Sequence, residues 1–266
     1  MGKTKVKVLK ERRTAIYNAR KMIKKIFERD ANEPETRRRV EEIFKSVLGY
    51  NTFKNLTSER VINGPGPADY VDFSIQEKPG DAVKPLALVE LKRVRTKLTK
   101  KHLKQITSYA FNTGCEWIIL TNGRDWQVWH VEFGQPPEPE MLDAWNLIED
   151  KVDELVKKFE ILTFKAIKGG ELDNRWGRLK ALAPDTLLAA LISDSSFATI
   201  KRNLRKETNT KVTYNDIYKG IRRLLNEAAA VLMSDIKIPI RPKMVKKDKI
   251  KKEKTLLNMR GPAQAD

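Results

Sequence analysis

The sequence predicts an α/β fold: a mixed β-sheet flanked by helices, followed by a C-terminal helical appendage and a basic tail. Three observations carry this expectation. Between residues 32 and 133 the apolar period runs helical, then strand-like, then helical, then strand-like again. Beyond 148 only helical periods follow, and from Ile236 lysines and prolines replace the apolar pattern. The expected divisions are a basic helix over 1–31, the core over 32–135, the appendage over 136–235 and a disordered basic tail over 236–266.

The first helix rests on Ile16, Ala19, Ile23, Ile26 and Phe27 at helical spacing. In "NEPETRRRVEEIFKSVLGY", Asn32 caps, Pro34 suits the first turn, and Glu35 stands where a capping box needs it. Val40, Ile43, Phe44, Val47 and Leu48 form the apolar stripe, and Gly49 ends the helix. "LTSERVI" (56–62) and "ADYVDFSI" (68–75) are strands joined by the "NGPGP" turn. After the loop "QEKPGDAVK" comes a strand at 85–94, then a helix over 98–112. "EWIILT" and "DWQVWHVEF" are two more strands around an Asn-Gly turn. "FGQPPEPE" is expected to be a linker or proline-rich loop, and helices are expected at 148–168, 174–193, 195–207 and 213–233. The composition of 148–233 suits dimerisation or docking to a partner.

The 266 residues carry a formal charge of +18, concentrated at the ends. Residues 1–31 hold a net +8 and residues 236–266 a net +7, around a nearly neutral body. Two cationic ends suit capture of a polyanion, and neither end has the strong apolar face that a membrane-surface helix needs. One cysteine, Cys115, excludes an internal disulfide, and with two histidines the chain has no means to build a zinc cluster. The start, "MGKTKVKVLKERR", has no apolar leader core, and no stretch reaches the length of a membrane span. The expectation is a soluble, cytoplasmic protein.

In "LALVELKRV" a core-like strand ends with Glu90 and Lys92, two positions apart and therefore on one face, the face of Leu86 and Leu88. Asp69 opens the preceding strand on the side of Val71, Phe73 and Ile75; Asp72 replaces it as the ligand if a bulge shifts the register. Paired on neighbouring strands, Asp69 and Glu90 suit a hard cation such as Mg²⁺, with Mn²⁺ as substitute, and Lys92 a water or a developing negative charge. Lys92, Arg93, Arg95, Lys97, Lys100, Lys101 and Lys104 follow without an intervening acid, as a phosphate-backbone contact would require.

These residues resemble the PD-(D/E)XK nuclease motif, with Pro67, Asp69, Glu90 and Lys92 in the matching positions. The segments "NEPETRRRVEEIFKSVLGYN" and "QITSYAFNTGCEWIILTNGRDWQVW" sharpen this into a resemblance to the N-terminal nuclease domain of type I restriction enzyme R subunits. That resemblance implies a restriction-endonuclease-like core and a Mg²⁺-dependent DNA endonuclease. It also implies a further acid at Glu33, with Glu35 as the alternative, and a Gln-x-x-x-Tyr pair at Gln105 and Tyr109. The family's ATP motor has no counterpart here, since the "GKT" at 2–4 lacks a glycine-rich loop. The expected protein is a nuclease domain without its own motor, acting on DNA as a homodimer or with other restriction or defence subunits. Two further readings stay open: a DNA-binding or assembly module that does not cut, and a junction-resolving nuclease.

Overall fold

Five consecutive buried residues in each of two strands, Ala87–Leu91 and Trp117–Thr121, mark the centre of the sheet. Strands covered on both faces have no reason to alternate, and these are nearly unbroken hydrocarbon. The structure, a computed structural model, describes residues 3–62, 69–78 and 84–238, without the side chains of 3–6, 59–62, 69–70 and 105. The Gly-Pro turn, including Pro67, and the tail from 239 onward lie outside the described residues.

Among the described residues the sheet has six strands in sequence order: β1 (Leu56–Ile62), β2 (Asp69–Ile75), β3 (Ala87–Leu91), β4 (Trp117–Thr121), β5 (Asp125–Glu132) and β6 (Glu138–Asn146). Every neighbouring pair is antiparallel except β3 and β4. That parallel pair needs a crossover, which a single 3₁₀ turn, Lys100–His102, and helix α3 (Leu103–Thr113) supply. Helices α1 (Lys3–Glu28), α2 (Glu33–Ser46) and α4 (Val152–Glu160) contribute to the apolar cluster on one face, with Ala87, Val89, Leu91 and Ile119. On the other face Leu88, Ile118 and Leu120 meet Leu103, Ile106 and Ala110 of α3. Leu86, expected beside Leu88, precedes the start of β3 and packs with the α1–α2 side instead.

Two expectations change here. "FGQPPEPE" was expected to be a linker or proline-rich loop, but β6 begins at Glu138 and pairs along β5 from Asp125↔Asn146 to Glu132↔Glu138. Prolines and acids disguise it, and both belong on an edge strand, where one side of the backbone needs no partner. The compact unit therefore runs to Lys180 rather than ending at 135. The basic first helix is also part of that core, with Ile16 and Ile23 fully buried.

Local chemistry divides the later helices more finely than the apolar period suggests. Thr163 caps a new helix, α5 (Phe164–Lys168), and α6 covers Glu171–Ala181. A second unit, Ala181–Asp266, holds α7 (Pro184–Leu191), α8 (Asp194–Thr208), α9 (Tyr214–Leu224) and α10 (Glu227–Ser234). Pro184, Ser193, Thr213 and Asn226 sit at their starts. Ile192, Phe197, Ile217 and Met233 form this unit's own small core. No helix among the described residues is long and apolar enough to cross a membrane.

The β4–β5 turn is held by Asn122, which is fully buried. Its Oδ1 accepts from the N–H groups of Arg124 and Asp125, and its Nδ2 donates to the Thr96 carbonyl at 2.8 Å, tying this turn to the segment after β3. Gly123 has φ +83°, and a Cβ there would stand 3.0 Å from the Ile23 side chain. Gly123→Ala should therefore lower unfolding free energy by about 1–2 kcal/mol, from the left-handed backbone alone. Denaturant titration reads this directly.

Candidate functional site

The ladder between β2 and β3 stops at Phe73↔Val89. One residue further, Asp72 stands opposite Glu90, and its carboxylate replaces the missing backbone partner: Oδ2 accepts from the Leu91 N–H at 2.7 Å. Its other oxygen accepts from Arg37 of α2. Asp72 and Glu90 are each only 8% exposed, so two acids are sunk at the point where the strands part. Strict alternation fails at the same point. Val71 joins the α3-side cluster while Phe73 joins the opposite one, although they are two residues apart.

Glu90 accepts from the Lys92 ammonium at 2.5 Å. Burial pushes the Glu90 carboxyl above its ordinary range, Lys92 opposes this, and the negative charges of Asp72 and Glu33 reinforce it. For Lys92, burial works against the charged form, but the Glu90 hydrogen bond, with the charges of Glu90, Glu33 and Asp72, raises its pKa overall. Lys92 is thus held as a cation inside an acidic pocket.

Glu33 is the first residue of α2, and its carboxylate accepts from the Arg93 N–H at 3.2 Å. Glu35 faces elsewhere. Its N–H is capped by Asn32, and its carboxylate pairs with Arg29 and Arg39. Of the two acids, Glu33 is the one in the field of Glu90 and Lys92.

The other expected residues separate. The backbone of Asp69 pairs with Ile62 at the outer start of β2, and its side chain is outside the described residues, as is that of Gln105. Tyr109 is buried in the α3-side cluster. The basic run divides in two. Arg93 donates to the carbonyls of Asp30 and Ala31, and Arg95 to those of Phe27 and Glu28, so both close the C-terminal end of α1. Lys97, Lys100, Lys101 and Lys104 are exposed, and none has an ion pair among the described residues. Arg95→Ala should therefore lower unfolding free energy by about 1–2 kcal/mol, the scale of hydrogen bonds from a charged donor. Neutralising the four lysines should leave the melting temperature in place.

Two residues near the site were not picked out by the sequence reading. Arg37 lies four positions after Glu33 on the same face of α2, a spacing that would have pointed to it. His102 is the second. Its Nδ1 accepts from the Thr99 N–H at 3.2 Å, and burial followed by the nearby Lys92 charge lowers its pKa, against an opposing pull from Glu33. His130 is structural, stacked on Trp176 with ring centroids 4.5 Å apart. Cys115 is buried, its thiol pushed up to about 12.

Among the described residues no three His, Cys, Asp or Glu side chains converge tightly enough to hold a metal ion. The donors that do approach one another are carboxylate oxygens, the ligand type of a hard cation. No curated protein and no solved structure matches the chain. Residues 32–143, which take in α2, the described part of β1 to β5 and the start of β6, are similar to a family described as type I restriction enzyme R protein N terminus.

Proposed function

We propose that this chain is a metal-dependent deoxyribonuclease whose site lies where β2 and β3 part. The observation that supports it is the grouping where the strands part: Lys92 on the Glu90 carboxylate, Asp72 on the Leu91 N–H and Glu33 on the Arg93 N–H. The similarity of segment 32–143 to a restriction-enzyme family supports DNA as the substrate.

Asp72 is preferred to Asp69 as the first carboxylate, because Asp72 faces Glu90 across the parting strands while Asp69 starts β2 three residues further out. Mg²⁺ commonly takes one or two carboxylates and fills its other positions with water and phosphate, so Asp72 and Glu90 suffice as ligands, with Mn²⁺ as substitute. Such an ion would supply Lewis-acid polarisation of a phosphoryl oxygen. The remaining work falls to the chain. Lys92, kept charged by Glu90, orients the attacking water and offsets negative charge developing on the phosphate. Glu33, whose charge acts on Glu90 and Lys92, is assigned the role of accepting the water's proton. The exposed lysines at 97, 100, 101 and 104 hold the backbone alongside. Partner copies or separate restriction subunits would supply sequence choice and any translocation.

The test is conversion of supercoiled plasmid to nicked and linear forms with Mg²⁺ or Mn²⁺, abolished by chelation. Parallel branched and linear duplexes separate a junction-resolving enzyme from a restriction-type one. One observation favours a second reading, a DNA-binding module that does not cut: both Asp72 oxygens are already engaged, by Leu91 N–H and Arg37. Retention of DNA with no metal-dependent product at any enzyme concentration would select it.

A further inference from the structure

Three cations of α1 are engaged with the rest of the protein. Arg12 and Arg13 pair with Glu160 at 3.0 Å and Asp153 at 2.5 Å, and Arg20 donates to the carbonyls of Leu147 and Asp150. Those three fasten the helix to α4 and the segment before it. Lys21, Lys25 and Arg29 do none of this. They recur every four residues, Lys21 and Lys25 about 6 Å apart along one row of α1 and Arg29 in the turn just past its end. With Arg39 of α2 they line a groove of about 510 Å³ between the two helices.

No acidic side chain lines this groove. Glu35 pairs with Arg29 and Arg39 and offsets one charge, which leaves Lys21 and Lys25 without an acidic partner among the described residues. The Nε of Arg39 is buried and has no hydrogen-bond acceptor there. The other lining residues are Asn18, Met22 and Ile26. The groove thus suits regularly spaced negative charge and offers no ring on which a base could stack.

We propose that the α1–α2 groove is a second contact for the phosphate backbone of duplex DNA, separate from the lysines that follow β3. It rests on the DNA reading above but not on cleavage. Helix α2 links the two regions: its first residue is Glu33, and Arg39 lies six residues, about 9 Å, along its axis.

The test is binding of a labelled 30-base-pair duplex to the full chain in chelator, across a potassium chloride series. Lys21→Ala combined with Lys25→Ala should weaken binding and reduce the slope of log K against log salt by about 1.8, two released counterions at 0.9 each. Both side chains are exposed, so the fold should persist, which circular dichroism checks. Lys7→Ala with Lys24→Ala removes the same charge from α1 outside the groove and should leave the slope near wild type. An unchanged slope in the groove variant, an equal drop in the control, or no retention by wild type would overturn the proposal. So would tighter binding of an RNA duplex of equal length that depends on the same two lysines, which would reassign the groove to RNA. Because no metal is present, failure of the nuclease reading shows only in the plasmid assay and leaves this measurement intact.

Discussion

Lys92→Ala should reduce Mg²⁺-dependent plasmid cleavage by about 10²–10³-fold or more while leaving retention of DNA in chelator nearly intact. The magnitude follows from removing one preorganised group that stabilises charge in the transition state. The side chain contacts Glu90 and is half-buried, so truncation leaves that carboxylate without its ammonium. Burial already favours the protonated form of Glu90, and losing Lys92 removes the main influence opposing it. The variant should therefore fail twice, by losing the cation at the phosphate and by making its acidic neighbour a poorer ligand. Lys92→Arg keeps the charge but replaces a compact ammonium with a broad planar fork, and should recover little. Nicking by Lys92→Ala at the wild-type rate would remove the basis for the site.

The pH dependence has a definite sign. A Glu90 carboxyl raised above its ordinary range binds its proton earlier as pH falls, and the protonated form is no metal ligand. Cleavage should therefore fall off on the acid side at a pH above the usual carboxylate value of 4.5. Folding stability moves the other way, because a folded-state pKa above the unfolded one makes Glu90's contribution most favourable at low pH and loses it as pH rises.

The parts of this site that were legible in the sequence are those fixed by local chemistry. Glu90 and Lys92 stand out because a hydrocarbon strand has no reason to end in a buried carboxylate and ammonium. The Asn32 cap was legible too, although Glu35 spends its carboxylate on Arg29 and Arg39 rather than on the cap. What could not be read is what depends on where strands separate. Alternation assigned Asp69, Val71 and Phe73 to one face, and that logic holds only along a continuous ladder. The ladder ends at Phe73, and a side chain completes it. Similarly, nothing local distinguishes Arg93 and Arg95 from the lysines beside them; only the position of the end of α1 does. The edge strand β6 was missed because proline and glutamate carry no strand signal.

Asp72→Asn should abolish metal-dependent cleavage, whereas Asp69→Asn should leave it within a few-fold of wild type. The amide keeps an oxygen for the Leu91 N–H and loses the charge, so the pocket's fold is perturbed least while its capacity to hold a divalent cation is removed. Asp72→Ala is the harsher change. It strips both the Leu91 hydrogen bond and the ion pair to Arg37, and leaving the buried Leu91 N–H without its acceptor alone costs about 1–3 kcal/mol. Chemical denaturation should therefore rank wild type above Asp72→Asn and Asp72→Asn above Asp72→Ala, while both variants are equally silent in the plasmid assay. That separation of stability from activity is what a metal ligand would show. A residue that only pins the strands would lose activity in proportion to stability, and the asparagine would retain most of it. The opposite pattern, with Asp69→Asn silent and Asp72→Asn active, would move the first ligand to the outer start of β2 and leave Asp72 as the clamp that holds Leu91.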